Sequence, residues 1–474
     1  MQEPCVGIQQ IRNGTASPAG GRIWPMAVTR RGFLGALTAA SYARVLGAND
    51  RVRVGFIGYG LIGAQHVADF RAEEDCECAA VSDVYAPRVA QGIEACGGRA
   101  QGFRDFRRLL DEKSIDAVVV STPDHWHALM TVMACAAGKD VYVEKPATLF
   151  VREGEWMIKA AARWKRIVQI GVQQRSGPHY QQALALLRTG YLGKVHSVRM
   201  ASFRNIMPGF GRPPQTEVPR DLDYDLWLGP APARPYSPHR GLYHFRWFWD
   251  FSGGQMTNLG AHSIDILQWS LRAAAPLAVA SSGGRFALQD DGETPDTQDA
   301  LFEYPGFTAV WSHREASAGT RGGSGLEFFG EKGSLKIDRS GFRVHADQQV
   351  NPEALVPVFK GHPTGGVNGA REERVDGRPW VQAVLGEGSS EEQFTMHTRN
   401  FLDCVKSREE PIASAQDGHE VARTCHLANI ALRTGRKLRW DAERNGIAGD
   451  AEASAMLERP YRKPWDNVLR GLGL

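Results

Sequence analysis

At 474 residues the chain can bury two or three domain cores, and 42% hydrophobic with 23% charged residues is an ordinary globular balance. All of its net charge of +3 sits in residues 1–50, where Arg12, Arg22, Arg30, Arg31 and Arg44 outnumber Glu3 and Asp50. A neutral body argues against a nucleic-acid or anionic-membrane surface, and the seven cysteines have no disulfide spacing.

The arm comes first. Residues 29–34 read TRRGFL; apolar and small residues follow from Phe33 to about Ala43, then VLGAND. Paired arginines, a short apolar region and small residues near a cleavage point have the order of a twin-arginine export signal. The apolar run is too short for a bilayer, which takes ~20 residues. Residues 1–50 are expected to be a disordered arm with this signal, read by the export machinery of the twin-arginine route. Met26 is an alternative start. The expected destination is the periplasm or the cell exterior.

The stretch Arg51–Asp83 organises the rest of the chain. Val52 to Ile57 is an apolar run short enough for a buried strand, and Gly58, Gly60 and Gly63 then read G-x-G-x-x-G. Leu61 to Arg71 has a helical pattern, and a second apolar run, Cys78 to Val81, ends at Asp83. Gly58 allows a tight turn, Gly60 lets a pyrophosphate approach the backbone, and Gly63 lets helix and strand pack closely. The free N–H groups of the helix start, at Leu61 and Ile62, face the phosphates. Asp83 accepts from ribose hydroxyls and repels a 2′-phosphate, which favours NAD over NADP.

From 51 to 173, strands are predicted at 52–57, 78–82, 116–121, 140–143 and 167–171. Helices are predicted at 61–71, 86–95, 104–112, 126–137 and 151–164. Such alternation implies a doubly wound parallel sheet, a dinucleotide-binding Rossmann domain. Ligands of such sheets bind outside the carboxyl ends of strands. Thr122, Pro123, His127, Glu144 and Lys145 are thereby placed near the nicotinamide.

From 174 to 440 the pattern predicts an α+β domain with an open, mostly antiparallel sheet of six to nine strands. Its helices are expected at 178–188, 394–406 and 416–434, and its strands at 194–203, 276–287, 299–304, 307–312, 325–329 and 333–338. Residues 204–240 read as a long Pro- and Gly-rich loop. Its aromatic residues Tyr224, Trp227 and Tyr236, with Tyr243, Trp247, Phe248 and Trp249 beyond, suit either a sugar face or the packing of the loop. Residues 441–474 form a tail. Gly253–Trp269 reads GGQMTNLGAHSIDILQW. On a regular helix Asn258, His262 and Asp265 fall at i, i+4 and i+7 and share a face.

The segments GFIGYGLIG, STPDHWHA, GKDVYVEKP and GGQMTNLGAHSIDILQW, in this order and spacing, resemble the Gfo/Idh/MocA family of nicotinamide-dependent oxidoreductases. The resemblance runs from about Arg51 to Trp465. It implies that Lys145 stands beside the reacting carbon, where an ammonium favours the alkoxide character of a substrate hydroxyl as hydride leaves. It implies that His262 is the general acid/base. Asn258 stands where many members have Asp, and Asn binds but takes no proton; Asn258→Asp is therefore expected to be tolerated or to raise the rate. Asp265 could orient His262 instead. The Lys145 contribution is expected to persist at high pH. His127 shapes the nicotinamide pocket. The resemblance implies no metal, although His125 and His127 could be read as a pair.

The expected activity is hydride transfer between NAD and a hydroxyl-bearing carbon of a sugar, sugar derivative or polyol. Lys145, Asn258, Asp265, Tyr243 and Trp247 are the expected substrate contacts. A homo-oligomer, dimer or tetramer, is expected through the open sheet. Two rivals stand beside this reading. One is a glycoside-cleaving lyase or glycosidase that oxidises C3 transiently; the branch known for this has His-Gly-Leu-Gly where this chain has NLGAHSID. The other is a non-catalytic sugar-binding protein on the same fold.

Overall fold

The computed structural model describes residues 51–319, 324–350 and 374–474. The predicted export signal lies outside them. Strands β1 (Val52–Ile57), β2 (Cys76–Ser82), β3 (Gln101–Phe103), β4 (Ala117–Val120), β5 (Asp140–Glu144) and β6 (Val168–Gly171) form a parallel sheet in the order β3-β2-β1-β4-β5-β6. Every residue of β4, β5 and β6 is buried. Parallel sheets covered by helices on both faces need such continuous apolar strands. The helices Leu61–Arg71, Ala86–Ala95 and Val151–Trp164 fall where the periodicity puts them. The three-residue strand β3, an exposed sheet edge, carries no apolar run that could predict it. Strand order reverses between β1 and β4, and the reversal opens a crevice at their carboxyl ends.

The second sheet has ten strands among the described residues, in the order β16-β13-β12-β11-β7-β10-β9-β8-β17-β18. Strands β7 (Val195–Phe203), β8 (Ala278–Gly284), β9 (Thr297–Tyr304), β10 (Phe307–Arg314), β11 (Gly325–Gly330) and β12 (Gly333–Asp338) match the alternating segments. Four short strands, β13 (Gly341–Ala346), β16 (Val384–Glu387), β17 (Leu438–Asp441) and β18 (Gly446–Ile447), widen the sheet beyond expectation, while β14 (Gln348–Val350) and β15 (Arg374–Pro379) pair with each other. All its pairs are antiparallel except β7 with β10. Helices Ala261–Leu271 and Ala415–Thr434 cover one face, with Leu267, Trp311, Phe302 and Ala428 in the shared core.

The tail returns to the first sheet. The Tyr461 hydroxyl donates to Glu153 Oε1 at 2.8 Å. Trp465, 4% exposed, packs between Phe106 and Trp126. Within the predicted loop 204–240, Asp223 caps a short helix, Tyr224–Leu228. Tyr224, Trp227, Tyr236 and Phe248 are buried together with Phe251, so the aromatic residues of this region chiefly pack it.

Candidate functional site

At the strand-order reversal lies a cleft open to solvent, where ligands of such sheets bind. Gly58, Gly60, Leu61, Ile62, Asp83, Thr122 and Pro123 line it. Gly58 has φ 94°, which an L side chain rarely adopts. A Cβ at Gly63 would stand 2.1 Å from the Gly58 carbonyl oxygen. Gly60 is less crowded: a Cβ there would meet only Arg88 Nη1, at 3.8 Å. The Ser121 hydroxyl donates to the Gly58 carbonyl at 2.8 Å and ties the end of β4 to the glycine turn.

Asp83 accepts from the Tyr59 N–H at 2.8 Å and the Tyr85 N–H at 2.9 Å, one on each oxygen. Burial pushes its carboxyl up, against the pull of Arg88 and these N–H groups. Each oxygen keeps a further lone pair for a ribose hydroxyl. Arg88 and Arg104 both line the cleft, but one Arg104 nitrogen is committed to the Val84 carbonyl at 2.9 Å. The open approach at Gly60, the tight glycine turn and the acid at the end of β2 together fit an NAD-type dinucleotide.

Gly63, His127, Glu144 and Lys145 do not line this cleft. The His127 ring lies 2.7 Å from the Pro146 carbonyl oxygen and 2.8 Å from that of Thr122, bridging two loops. Glu144 faces inward. Its Oε1 meets His66 Nε2 at 2.8 Å and accepts from Gln173 Nε2 at 2.6 Å; its Oε2 accepts from the Lys145 N–H at 3.1 Å. Burial raises the Glu144 carboxyl, but the His66 bond and the charges of His66 and Lys145 prevail and leave it below its ordinary value. Glu144 thus anchors the main chain of Lys145 from within the fold.

The Lys145 ammonium donates to Asn258 twice, to its carbonyl and to its Oδ1, each at 2.8 Å. A relay continues behind Asn258. Its Nδ2 donates to Gln255 Oε1 at 3.0 Å, and Gln255 Nε2 donates to Glu315 Oε1 at 3.0 Å. Glu315, 1% exposed, also accepts from Trp247 Nε1 at 2.8 Å and from Arg204 Nε at 3.1 Å. Both amides therefore point their donors away from Lys145. Burial lowers Lys145 to about 8, helped by Arg246 and Arg339 and opposed by Glu144 and Asp124.

His262 is 8% exposed. Burial, then the charges of Lys145 and Arg339, hold its imidazole well below the ordinary value. Its Nε2 lies 3.4 Å from Arg339 Nη2, and its Nδ1 has no partner. A guanidinium only donates, so the lone pair at this contact belongs to Nε2.

Two expected substrate residues are placed elsewhere. Asp265 does not orient His262: both its oxygens accept from Arg175 Nε, at 2.9 and 3.1 Å, in a buried ion pair. The cause is a competing partner, the buried Arg175 guanidinium. The π-helical turn Met256–Gly260 shifts Asn258 out of regular phase with the α-helix Ala261–Leu271, whereas Asp265, three residues from His262 in that helix, is taken by Arg175. Trp247 is 5% exposed and serves Glu315, whereas Tyr243, 45% exposed, lines the cleft. Sequence reasoning missed His66, Gln173, Gln255, Glu315, Arg246 and Arg339. Gln255 sits inside the singled-out motif; no local pattern marks the others. Among the described residues no group of three or more His, Cys, Asp or Glu is arranged to hold a metal, and no helix is long and apolar enough to cross a membrane.

Two family models match. Residues 52–172 match the oxidoreductase family's NAD-binding Rossmann fold, and residues 194–282 with 389–467 match its C-terminal alpha/beta domain. Myo-inositol 2-dehydrogenase of Thermotoga maritima is 27% identical over 396 residues, covering 82% of this chain and 99% of that protein. Glycosyl hydrolase family 109 protein 1 of a Shewanella species is 30% identical over 154 residues, 31% of this chain and 34% of that protein. Among solved structures, scyllo-inositol dehydrogenase from Lactobacillus casei with NAD(H) and scyllo-inositol shares the fold at TM-score 0.58 and 18% identity. It covers 82% of this chain and 99% of its own. Matched in both halves, the chain belongs to the Gfo/Idh/MocA oxidoreductase family and carries that family's NAD-binding Rossmann domain.

Proposed function

We propose that the protein is an exported NAD-dependent dehydrogenase that oxidises a CH–OH carbon of a sugar, sugar derivative or polyol. The observation that carries this is the convergence of Lys145, just past β5, with Asn258 and His262, from the helical stretch 256–271, beside the nucleotide cleft. Bound NAD supplies the hydride acceptor. Gly58, Gly60, Leu61, Ile62 and Asp83 hold it, and Thr122 and Pro123 border its nicotinamide end. Lys145, an ammonium at neutral pH, hydrogen-bonds the substrate hydroxyl oxygen and stabilises negative charge as it develops there. His262, neutral over the working range, takes the hydroxyl proton on Nε2. Asn258 aims the ammonium and is itself held by Gln255 and Glu315. Tyr243 offers an aromatic face at the cleft.

The test is the absorbance of reduced nicotinamide with a panel of sugars, sugar acids and polyols. A nucleotide-loaded protein that reduces NAD with none of them would overturn the reading. The similarity to a family 109 glycosyl hydrolase favours a second reading, glycoside cleavage with the cofactor recycled in place. Release of aglycone without net NADH distinguishes it. Export rests on TRRGFL; Arg30→Lys with Arg31→Lys should strand the protein in the cytoplasm. Assembly as a dimer or tetramer through the ten-stranded sheet is read by light scattering, a monomer being the contrary result.

A further inference from the structure

Arg339 occupies the turn between β12 and β13, and that turn is tied down on every side. Asp338 Oδ1 accepts from the Ser340 N–H at 2.8 Å and from the Ser340 hydroxyl at 2.5 Å. Gln393 Nε2 donates to the Arg339 carbonyl at 3.1 Å, and the Gly388 N–H to that of Ser340 at 2.8 Å. The neighbouring acid is therefore engaged in the turn itself. The guanidinium reaches instead to His262 Nε2, at 3.4 Å.

Arg246, on the wall of the nucleotide cleft, is the second cation near Lys145. It lies over the rings of Tyr243 and Phe245. Among the described residues neither guanidinium pairs with a carboxylate. Glu144 and Asp124 offset part of the charge at Lys145, but their bonded partners are His66, Gln173 and the Ser252 hydroxyl, not Arg246 or Arg339. Arg246 and Arg339 thus both act on Lys145 electrostatically, and neither guanidinium has a carboxylate of its own among the described residues. Such an arrangement favours a ligand that brings negative charge, and a planar guanidinium suits a carboxylate or phosphate in particular.

We propose that the substrate is an anionic carbohydrate, and that Arg339 receives its carboxylate or phosphate while Arg246 supplies a second positive charge. This rests on the dehydrogenase reading and names the substrate class of that site. It also gives Arg339 two positions with different consequences. Turned to His262, the guanidinium occupies the lone pair on Nε2. Drawn to the substrate's anion, it leaves that nitrogen free to take the hydroxyl proton. Neutral substrates lack this release.

The test uses full-length protein loaded with NADH, titrated calorimetrically with glucose, glucuronate and glucose 6-phosphate, and the NAD-loaded protein assayed for turnover with the same three. At least one anion should bind about tenfold or more tightly than glucose, the scale of a charged hydrogen-bonded pair. Whichever anion leads identifies the group as carboxylate or phosphate. In Arg339→Gln the ratio of anion to glucose affinity should fall towards one, and Arg339→Lys should restore it in part. NADH affinity and the melting temperature report that each variant is folded. Equal binding of the three, binding of none, or a ratio unchanged in Arg339→Gln overturns the proposal. If glucose is oxidised with no advantage to the anions, the dehydrogenase reading stands and this one falls. If the anions bind through Arg339 but no NADH forms, this one stands and hydride transfer falls.

Discussion

In the nucleotide cleft the fixing atoms are mostly main chain: the Gly58 carbonyl held by Ser121, and the Tyr59 and Tyr85 N–H groups held by Asp83. At Lys145 they are mostly side chains, drawn from segments around 144, 173, 258, 315 and 339. The cleft is therefore vulnerable to an added atom and the pocket to a removed one. A Cβ at Gly63, 2.1 Å from the Gly58 carbonyl oxygen, forces the glycine turn to shift. A relay of amides fails when one donor is lost, because each buried polar group left alone costs about 1–3 kcal/mol.

The pocket should give the largest kinetic effects while leaving nucleotide affinity alone. His262→Ala is expected to lower kcat by about 10²–10⁴-fold, the usual cost of removing a general base. Wild-type kcat should show no acid limb near pH 6.5, because His262 titrates well below its ordinary range. Lys145→Ala should lose about 10²–10³-fold, as for one oxyanion donor. The expectation that this deficit persists at high pH does not survive the burial of Lys145. The active form is the ammonium, so wild-type activity should fall as pH rises through about 8, and the deficit should narrow there. A constant deficit from pH 6 to 10 would show that Lys145 does not act through its charge.

The cleft should behave in the opposite way. Gly63→Ala should weaken NADH binding about tenfold, a strain within the ~1–3 kcal/mol of overpacking, with kcat at saturating NAD nearly kept. Loss of kcat at unchanged affinity would erase the contrast between the two regions. Asn258→Asp sharpens it with the smallest effect on rate. A carboxylate beside Lys145 should move the alkaline limb above about 8. It cannot donate to Gln255, so unfolding free energy should fall by about 1–3 kcal/mol. The sequence suggests tolerance at this position; the relay predicts a stability cost, read by denaturant titration.

The same contrast governs what the sequence makes legible. The cleft comes from one short stretch whose stereochemical demands name their own residues: Gly58, Gly60, Gly63 and Asp83 announce themselves by spacing. Lys145, Asn258 and His262 lie in two recognisable segments. Their partners do not. Arg339 meets His262 across 77 positions and Trp247 meets Glu315 across 68, with no local period connecting them. Asp265 misleads for the same reason: its helix spacing to His262 is regular, but Arg175, 90 positions away, takes both its oxygens. The ten-stranded sheet exceeds its expected width where its strands are too short to show alternation, as in β17 and β18.

Tyr461 reaches back to Glu153 across 308 positions, and Trp465 fills a gap beside Phe106 and Trp126. A ribosome adding ~5–20 residues per second needs roughly 15–60 s to make that interval. During that time the nucleotide half waits with an aromatic gap in its side, a place for a chaperone to hold. Nascent chains arrested before residue 461 should be nicked by protease near 106–126, where finished chains are protected.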